Sequence, residues 1–178
     1  PQQWPVKTLQ TSVVHQRLFS DNQFFTLNKR ARFIPVLYKA PQSDISQTYP
    51  LLLNSGRTRD QWHTMSRTGL SARLAQHSAE PFVLVHPSTA LQFSVRQGQL
   101  AKVYNLRGEC QVRVEVSDNI SPQQLFVPIH WNSTTAKNSK PCVLIAPHAD
   151  SLSGQPEFKH TPVAISPCDY QSCALLAT

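Results

Sequence analysis

Glycine is scarce in this sequence, five residues in 178, and none sits in a G-x-G-x-x-G or P-loop pattern. Neither standard phosphate-binding loop is therefore present. No apolar run reaches the ~18 residues that a membrane-spanning helix needs, which excludes such a segment. The four cysteines, at 110, 142, 168 and 173, form no C-x2-C pair, and nothing about them demands an oxidising compartment. G-x-S-x-G and H-E-x-x-H are missing too, and the seven histidines never fall at metal-ligand spacing. No catalytic residue and no metal ligand is assigned from motif. Acidic residues are few: ten against seventeen Lys and Arg, a net charge of +7.

What is present suits one globular domain. The 40% hydrophobic content supports a core, and the length is that of a single domain with an appendage. The opening PQQWPVKTLQ has neither an initiator Met nor a signal-peptide pattern, and we expect it to be a cut through a larger protein. The basic balance points to an anionic partner. The densest cluster, Asn28 to Arg32, is short. Arginines placed singly among Ser, Thr, Asn and Gln suit phosphate and amide recognition better than a long nucleic-acid track. The two N-x-S/T sequons, at Asn119 and Asn132, are read as chance matches.

Residues 1–48 read as an irregular lead-in, with two short extended pieces around an Asp-Asn turn between Arg17 and Tyr38. Strands dominate after it. LLLN (Leu51 to Asn54) and FVLVHP (Phe82 to Pro87), the second closed by its proline, are short apolar runs fit for buried strands. ECQVRVEV (Glu109 to Val116) alternates strictly, with Cys110, Val112, Val114 and Val116 on the core face, so Cys110 reads as a small buried hydrophobe. QLAKVYN precedes it across LRG and predicts a hairpin. LFVPI (Leu125 to Ile129) and HTPVAIS (His160 to Ser166) add strands that prolines confine to edges or ends. A short helix is expected within SRTGLSARLAQHS, another starting at Pro87 and Ser88, and a turn at Gln97-Gly98. With no βαβ rhythm, the fold class is mainly β with short helices, a small barrel.

One stretch is chemically dense: NSGRTRDQWHTMSRT, Asn54 to Thr68. A strand running into Gly56 lets a ligand approach the backbone closely. Ser55, Thr58, Thr64, Ser66 and Thr68 offer hydroxyls, and Arg57, Arg59 and Arg67 offer forked donors suited to a pyrophosphate. Asp60 can accept a bidentate bond from the amidine edge of a guanine, and Trp62 presents a stacking face. Each residue alone is an ordinary loop residue. Together they describe a site for an anionic nucleotide-containing ligand.

The string LLLNSGRTRDQWHTMSRTG resembles the C-terminal dinucleotide-binding domain of the molybdopterin oxidoreductases, the dimethyl sulfoxide reductase superfamily. Its wording is most similar to the assimilatory nitrate reductases. RLFSDNQFFTLNKRARFIPV, the stretch from Val85 to Trp131 and SGQPEFKHTPVAI resemble the family in order, so the likeness runs from Trp4 to Ile165. The resemblance implies a six-stranded double-psi β-barrel over residues 49–166, after the 1–48 lead-in and before a 167–178 tail or linker. It implies molybdenum bis(molybdopterin guanine dinucleotide) as cofactor, wrapped by Ser55, Gly56, Arg57, Thr58, Asp60, Gln61, Trp62, His63 and Thr64, with Ser66 and Arg67 adjoining. Ile129 or His130 lines the cofactor, and Asn138 and Lys159 touch it, with Asn132 a rival to Asn138. The metal-binding cysteine and an iron–sulfur cluster belong to the preceding part of such a chain, so this part does not turn over alone. Cys168 and Cys173 do not make a [2Fe-2S] motif.

The resemblance further implies a cytoplasmic enzyme reducing nitrate to nitrite. Its partners are the remaining domains of the same polypeptide and an electron donor such as a ferredoxin, a flavodoxin or an NADH-dependent reductase subunit, with no nucleic acid and no membrane. Two alternatives stand beside it. The same domain of a formate dehydrogenase shares barrel and cofactor. A basic RNA-binding module would show aromatics on an open sheet face, whereas Trp62 and Trp131 sit in loops or at strand ends.

Overall fold

The computed structural model describes residues 17–168. The chain divides into two compact units, residues 1–39 and 40–178. In the first, no strand forms among the described residues. The expected turn is there, with the Asn22 amide donating to the Phe19 carbonyl at 3.0 Å. The two extended pieces are not formed as strands: turns around Phe19 to Asn22 and Thr26 to Lys29 replace them. The Phe19 ring stacks on Phe24 at 4.9 Å and meets Phe25 edge-on at 5.3 Å, a local aromatic contact that favours the compact turn.

The second unit is a closed barrel of six strands: β1 (Leu51–Gly56), β2 (Phe82–Val85), β3 (Leu100–Asn105), β4 (Gly108–Val116), β5 (Gln124–Pro128) and β6 (Thr161–Pro167). Around the barrel the order is β1-β5-β2-β4-β3-β6. Two pairs are parallel, β1 with β5 and β2 with β4, and the others are antiparallel. This interlocked order is the double-psi β-barrel expected from the resemblance. The prolines hold strand ends, with Pro128 closing β5 and Pro162 second in β6. None of them holds an edge, because a closed barrel has no edges.

The core follows from alternation. Leu51 and Leu53, Val83 and Val85, Val103, Cys110, Val112 and Val114, Leu125 and Val127, and Val163 all point inward and are fully buried. Each such side chain contributes about 1.5–3 kcal/mol of transfer free energy. Burial also pushes the Cys110 thiol up to about 12, so it stays protonated as a packing group.

Turn chemistry agrees with the sequence. Gly98 has φ +75°, and the Gln99 amide bonds Arg96 O at 3.0 Å, a tight turn whose third position favours glycine. The β3–β4 hairpin pairs Asn105 with Gly108 across Leu106 and Arg107, one residue tighter than LRG suggests. Helix α1 is a single turn, Ala72–Ala75. Helix α2, Pro87–Gln92, starts at Pro87, with His86 Nδ1 accepting the Ser88 amide at 3.2 Å.

The pairings decide what meets at one mouth. The parallel partners β1 and β5 end together, and the antiparallel neighbours β2 and β6 begin there. Gly56, Pro128 with Ile129 and His130, Lys159 just before β6, and Phe82 therefore gather at one end of the barrel.

Candidate functional site

Strand β1 runs two residues further than the apolar run predicts. Ser55 and Gly56 are its last residues, in register with Val127 and Pro128 of β5. The ladder continues past the strands, with the Ile129 amide donating to Gly56 O at 2.9 Å. At Gly56 a Cβ would stand 2.9 Å from Phe126 Cε2 and 3.4 Å from Lys159 Nζ. Glycine is needed there for space, since its φ is ordinary. Lys159 is exposed, and its ammonium donates to the Ser55 carbonyl. A cation thus overhangs bare backbone at the mouth.

Beyond Gly56 the loop is braced by its own side chains. His130 is fully buried. Its Nε2 accepts the Thr58 amide at 2.8 Å and its Nδ1 lies 2.6 Å from the His63 carbonyl. An Nε2 that accepts must carry its lone pair, so the proton sits on Nδ1 and donates to His63 O. Gln61 is buried with its amide spent: Nε2 donates to Leu74 O at 3.1 Å, and Oε1 accepts from Thr68 Oγ1 at 2.6 Å. Thr68 Oγ1 in turn accepts the Trp62 amide at 3.2 Å.

The outer side carries charge. Arg59 Nε donates to Asp60 Oδ1 at 3.0 Å, and His77 Nδ1 lies 2.5 Å from Asp60 Oδ2. The hydrogen bond from Arg59 holds the Asp60 carboxyl below its ordinary range, and Asp60 raises Arg59 in return. Arg57 places its guanidinium carbon 5.1 Å from the centre of the Trp62 ring, and Trp62 meets His63 edge-on at 4.5 Å. Both Arg57 and Trp62 are exposed.

A cavity of about 280 Å³ opens beside this loop, lined by Thr58, Asp60, Gln61, His77, Ser78, Phe82 and Glu115 among others. Thr58 Oγ1 and Ser78 Oγ are buried without a hydrogen-bond partner among the described residues. Burial, with Glu80 adding to it, holds the Glu115 carboxyl above its ordinary value.

These facts sort the residues named from sequence. Gly56, Arg57, Thr58, Trp62, His63, Ile129 and Lys159 come together at the mouth. Thr64 and Arg67 are exposed further along the same loop. Four side chains prove to be committed inside the protein. The Ser55 hydroxyl bonds Phe158 O at 3.0 Å, Gln61 and His130 brace the loop, and Asp60 is engaged by Arg59 and His77. Asp60 lines the cavity with its carboxylate held by Arg59 and His77. Asn138 is exposed with φ 58°, its carbonyl accepting the Gln111 amide at 2.7 Å. Its rival Asn132 spends its side-chain oxygen on the Thr134 amide at 2.9 Å. Sequence reasoning missed Leu74, His77, Ser78 and Glu115, which no local spacing links to the loop. Among the described residues no group of three or more His, Cys, Asp or Glu is placed to hold a metal ion.

Comparison with known proteins bears on this geometry directly. A family described as "Molydopterin dinucleotide binding domain" matches residues 51–162, the whole barrel up to the start of β6. The chain belongs to that family. It is 40% identical over 167 residues to a nitrate reductase of Klebsiella oxytoca, covering 93% of this chain and 18% of that protein. The assimilatory nitrate reductase catalytic subunit of Bacillus subtilis (strain 168) is 33% identical over 152 residues, covering 85% and 21%. The F420-dependent formate dehydrogenase subunit alpha of Methanocaldococcus jannaschii is 28% identical over 155 residues, covering 87% and 22%. This chain thus spans about a fifth of each of these relatives. Acetylene hydratase from Pelobacter acetylenicus shares the fold, with a TM-score of 0.58 at 15% identity over 67% of this chain and 18% of that one.

The mouth fits a molybdopterin dinucleotide on its own evidence. Gly56 admits the Phe126 ring and Lys159 to close range, Lys159 and Arg57 supply cations beside it, and Thr58 holds a buried hydroxyl with no partner among the described residues. Positive charge beside an unpartnered hydroxyl suits a pyrophosphate. Among the described residues no helix is long and apolar enough to cross a membrane.

Proposed function

We propose that this chain is the domain of a molybdenum nitrate reductase that binds molybdopterin guanine dinucleotide. The observation that carries the nitrate reading is the 40% identity to a nitrate reductase along 93% of the chain, against 28% for the formate dehydrogenase. When bound, the cofactor supplies oxygen-atom transfer at molybdenum, by which nitrate gives nitrite. This chain's part is to bind and orient. Arg57 and Lys159 neutralise the pyrophosphate, while the Thr58 hydroxyl takes up one of its oxygens. Ile129, half-buried beside Gly56, closes the mouth with an apolar side chain. Exposed Thr64, Arg67 and Asn138 extend the contact surface.

The remaining polypeptide supplies the iron–sulfur cluster and the groups that hold the metal. A ferredoxin, a flavodoxin or an NADH-dependent reductase subunit delivers the electrons. The similarity to an assimilatory catalytic subunit of Bacillus supports an assimilatory role, and we place such an enzyme in the cytoplasm. The similarity to formate dehydrogenases keeps formate as the second reading. Oxidation of reduced viologen by the purified full-length parent tests both, with nitrate and formate supplied in turn. Nitrate-dependent oxidation is the expected result. A molybdenum-loaded enzyme inert toward nitrate overturns the substrate reading and leaves the family intact.

A further inference from the structure

We propose that His130 is the positioning residue of the dinucleotide loop, fixing residues 58–63 in the shape that receives the cofactor; this rests on the cofactor reading above. The imidazole is fully buried, so it reaches no ligand. Its two nitrogens hold the two ends of the loop: Nε2 accepts from the Thr58 amide at 2.8 Å, and Nδ1 donates to the His63 carbonyl at 2.6 Å. The ring is anchored in turn by β5, because Ile129 just before it continues the β1 ladder through Gly56 O.

The tether holds a conformation that the chain would otherwise leave. His63 has φ 44° and Met65 has φ 61°, left-handed values that cost a side-chain-bearing residue free energy. Locking the His63 carbonyl keeps the first of these in place. From His63 the placement passes outward, since Trp62 packs edge-on against the His63 ring and Arg57 lies over the Trp62 face. At the other end the same imidazole orients Thr58, whose buried hydroxyl lacks a partner among the described residues. One buried ring thereby sets the backbone of the turn, the Thr58 hydroxyl and the Arg57 guanidinium. A loop fixed by protein groups loses less freedom when it binds. A leucine at 130 would fill the volume but leave the Thr58 amide and the His63 carbonyl without the partner that joins them.

The test uses the full-length parent, purified as folded protein, with molybdenum and acid-released guanine nucleotide measured per polypeptide. His130→Leu is expected to lower both about tenfold or more, and to speed hydrogen exchange at residues 58–63. His130→Gln, whose side-chain oxygen can accept the Thr58 amide, recovers part of the loading. Leu125→Ala destabilises the barrel interior without touching the loop, and leaves loading per folded molecule unchanged. Three outcomes overturn the proposal: normal loading in His130→Leu, equal losses in His130→Leu and Leu125→Ala, or a Gln variant as poorly loaded as Leu. Gly56→Val separates this from the cofactor reading. If Gly56→Val fails to load while His130→Leu loads normally, only the positioning role falls; if both load normally, the reading of the site falls with it.

Discussion

The ammonium of Lys159 donates to the carbonyl of Ser55 and lies 3.4 Å from where a Cβ on Gly56 would stand. Two segments a hundred residues apart in sequence are thereby joined at the barrel mouth, one bringing bare backbone and the other a positive charge. The pairing makes Gly56 a site of close approach whose neighbours on both sides are already in place.

Gly56→Ala is accordingly expected to cost about 1–3 kcal/mol, because the new methyl meets the Phe126 ring edge at 2.9 Å and the ring must move. Cofactor content should fall beyond what the lower stability explains, since the methyl also crowds the Lys159 ammonium at 3.4 Å. Thermal melts and molybdenum analysis of the same preparation separate the two effects. Unchanged melting would show that Phe126 yields freely.

The latch of Asp60 with Arg59 and His77 predicts an acid dependence. The folded carboxyl lies below its ordinary 3.8, mainly through the hydrogen bond from Arg59. A carboxyl so lowered stabilises the fold above its unfolded value, and the contribution disappears as pH falls through the folded one. The difference in melting temperature between wild type and Asp60→Asn should be present near neutrality. It should shrink only below the ordinary value of 3.8. A difference that stays constant into acid would remove the ion pair as its cause.

Glu115 has the opposite sign. Its folded carboxyl is raised above 4.5 by burial first and by Glu80 second. The unfolded chain therefore ionises earlier as pH rises, and folding loses stability across that interval. Glu115→Gln should melt higher than wild type at about pH 7 and match it at about pH 3. A variant less stable at neutrality would mean that the carboxylate has a favourable partner there.

Much of this barrel can be read in the sequence because its strands carry their own pattern. Cys110, Val112 and Val114 alternate inward in β4 as periodicity predicts, and Pro87 opens α2. The glycine after the LLLN run stands where the Phe126 ring packs too close for a side chain. What sequence does not show is how the polar residues of the loop divide their labour. Ser55, Asp60, Gln61 and His130 are named from sequence as cofactor contacts, and sequence does not show the bonds their side chains make inside the protein. The structure spends those bonds on Phe158, His77, Leu74 and Thr58. These partners lie up to 103 residues away, a separation that no local spacing encodes. The extended pieces expected in the lead-in fail for a related reason: Phe19, Phe24 and Phe25 satisfy one another locally, which apolar content alone does not reveal.

The central claim is that the mouth around Gly56, with Arg57 and Lys159, holds a pyrophosphate-linked guanine dinucleotide. The most direct test is the molybdenum and acid-released guanine nucleotide content of the purified parent protein, compared with its Arg57→Ala/Lys159→Ala double variant. The account predicts both in the wild type and a loss of about tenfold or more in the variant, given two charge-assisted contacts at about 1.5–3 kcal/mol each. A double variant that folds and carries a wild-type complement of both would contradict it.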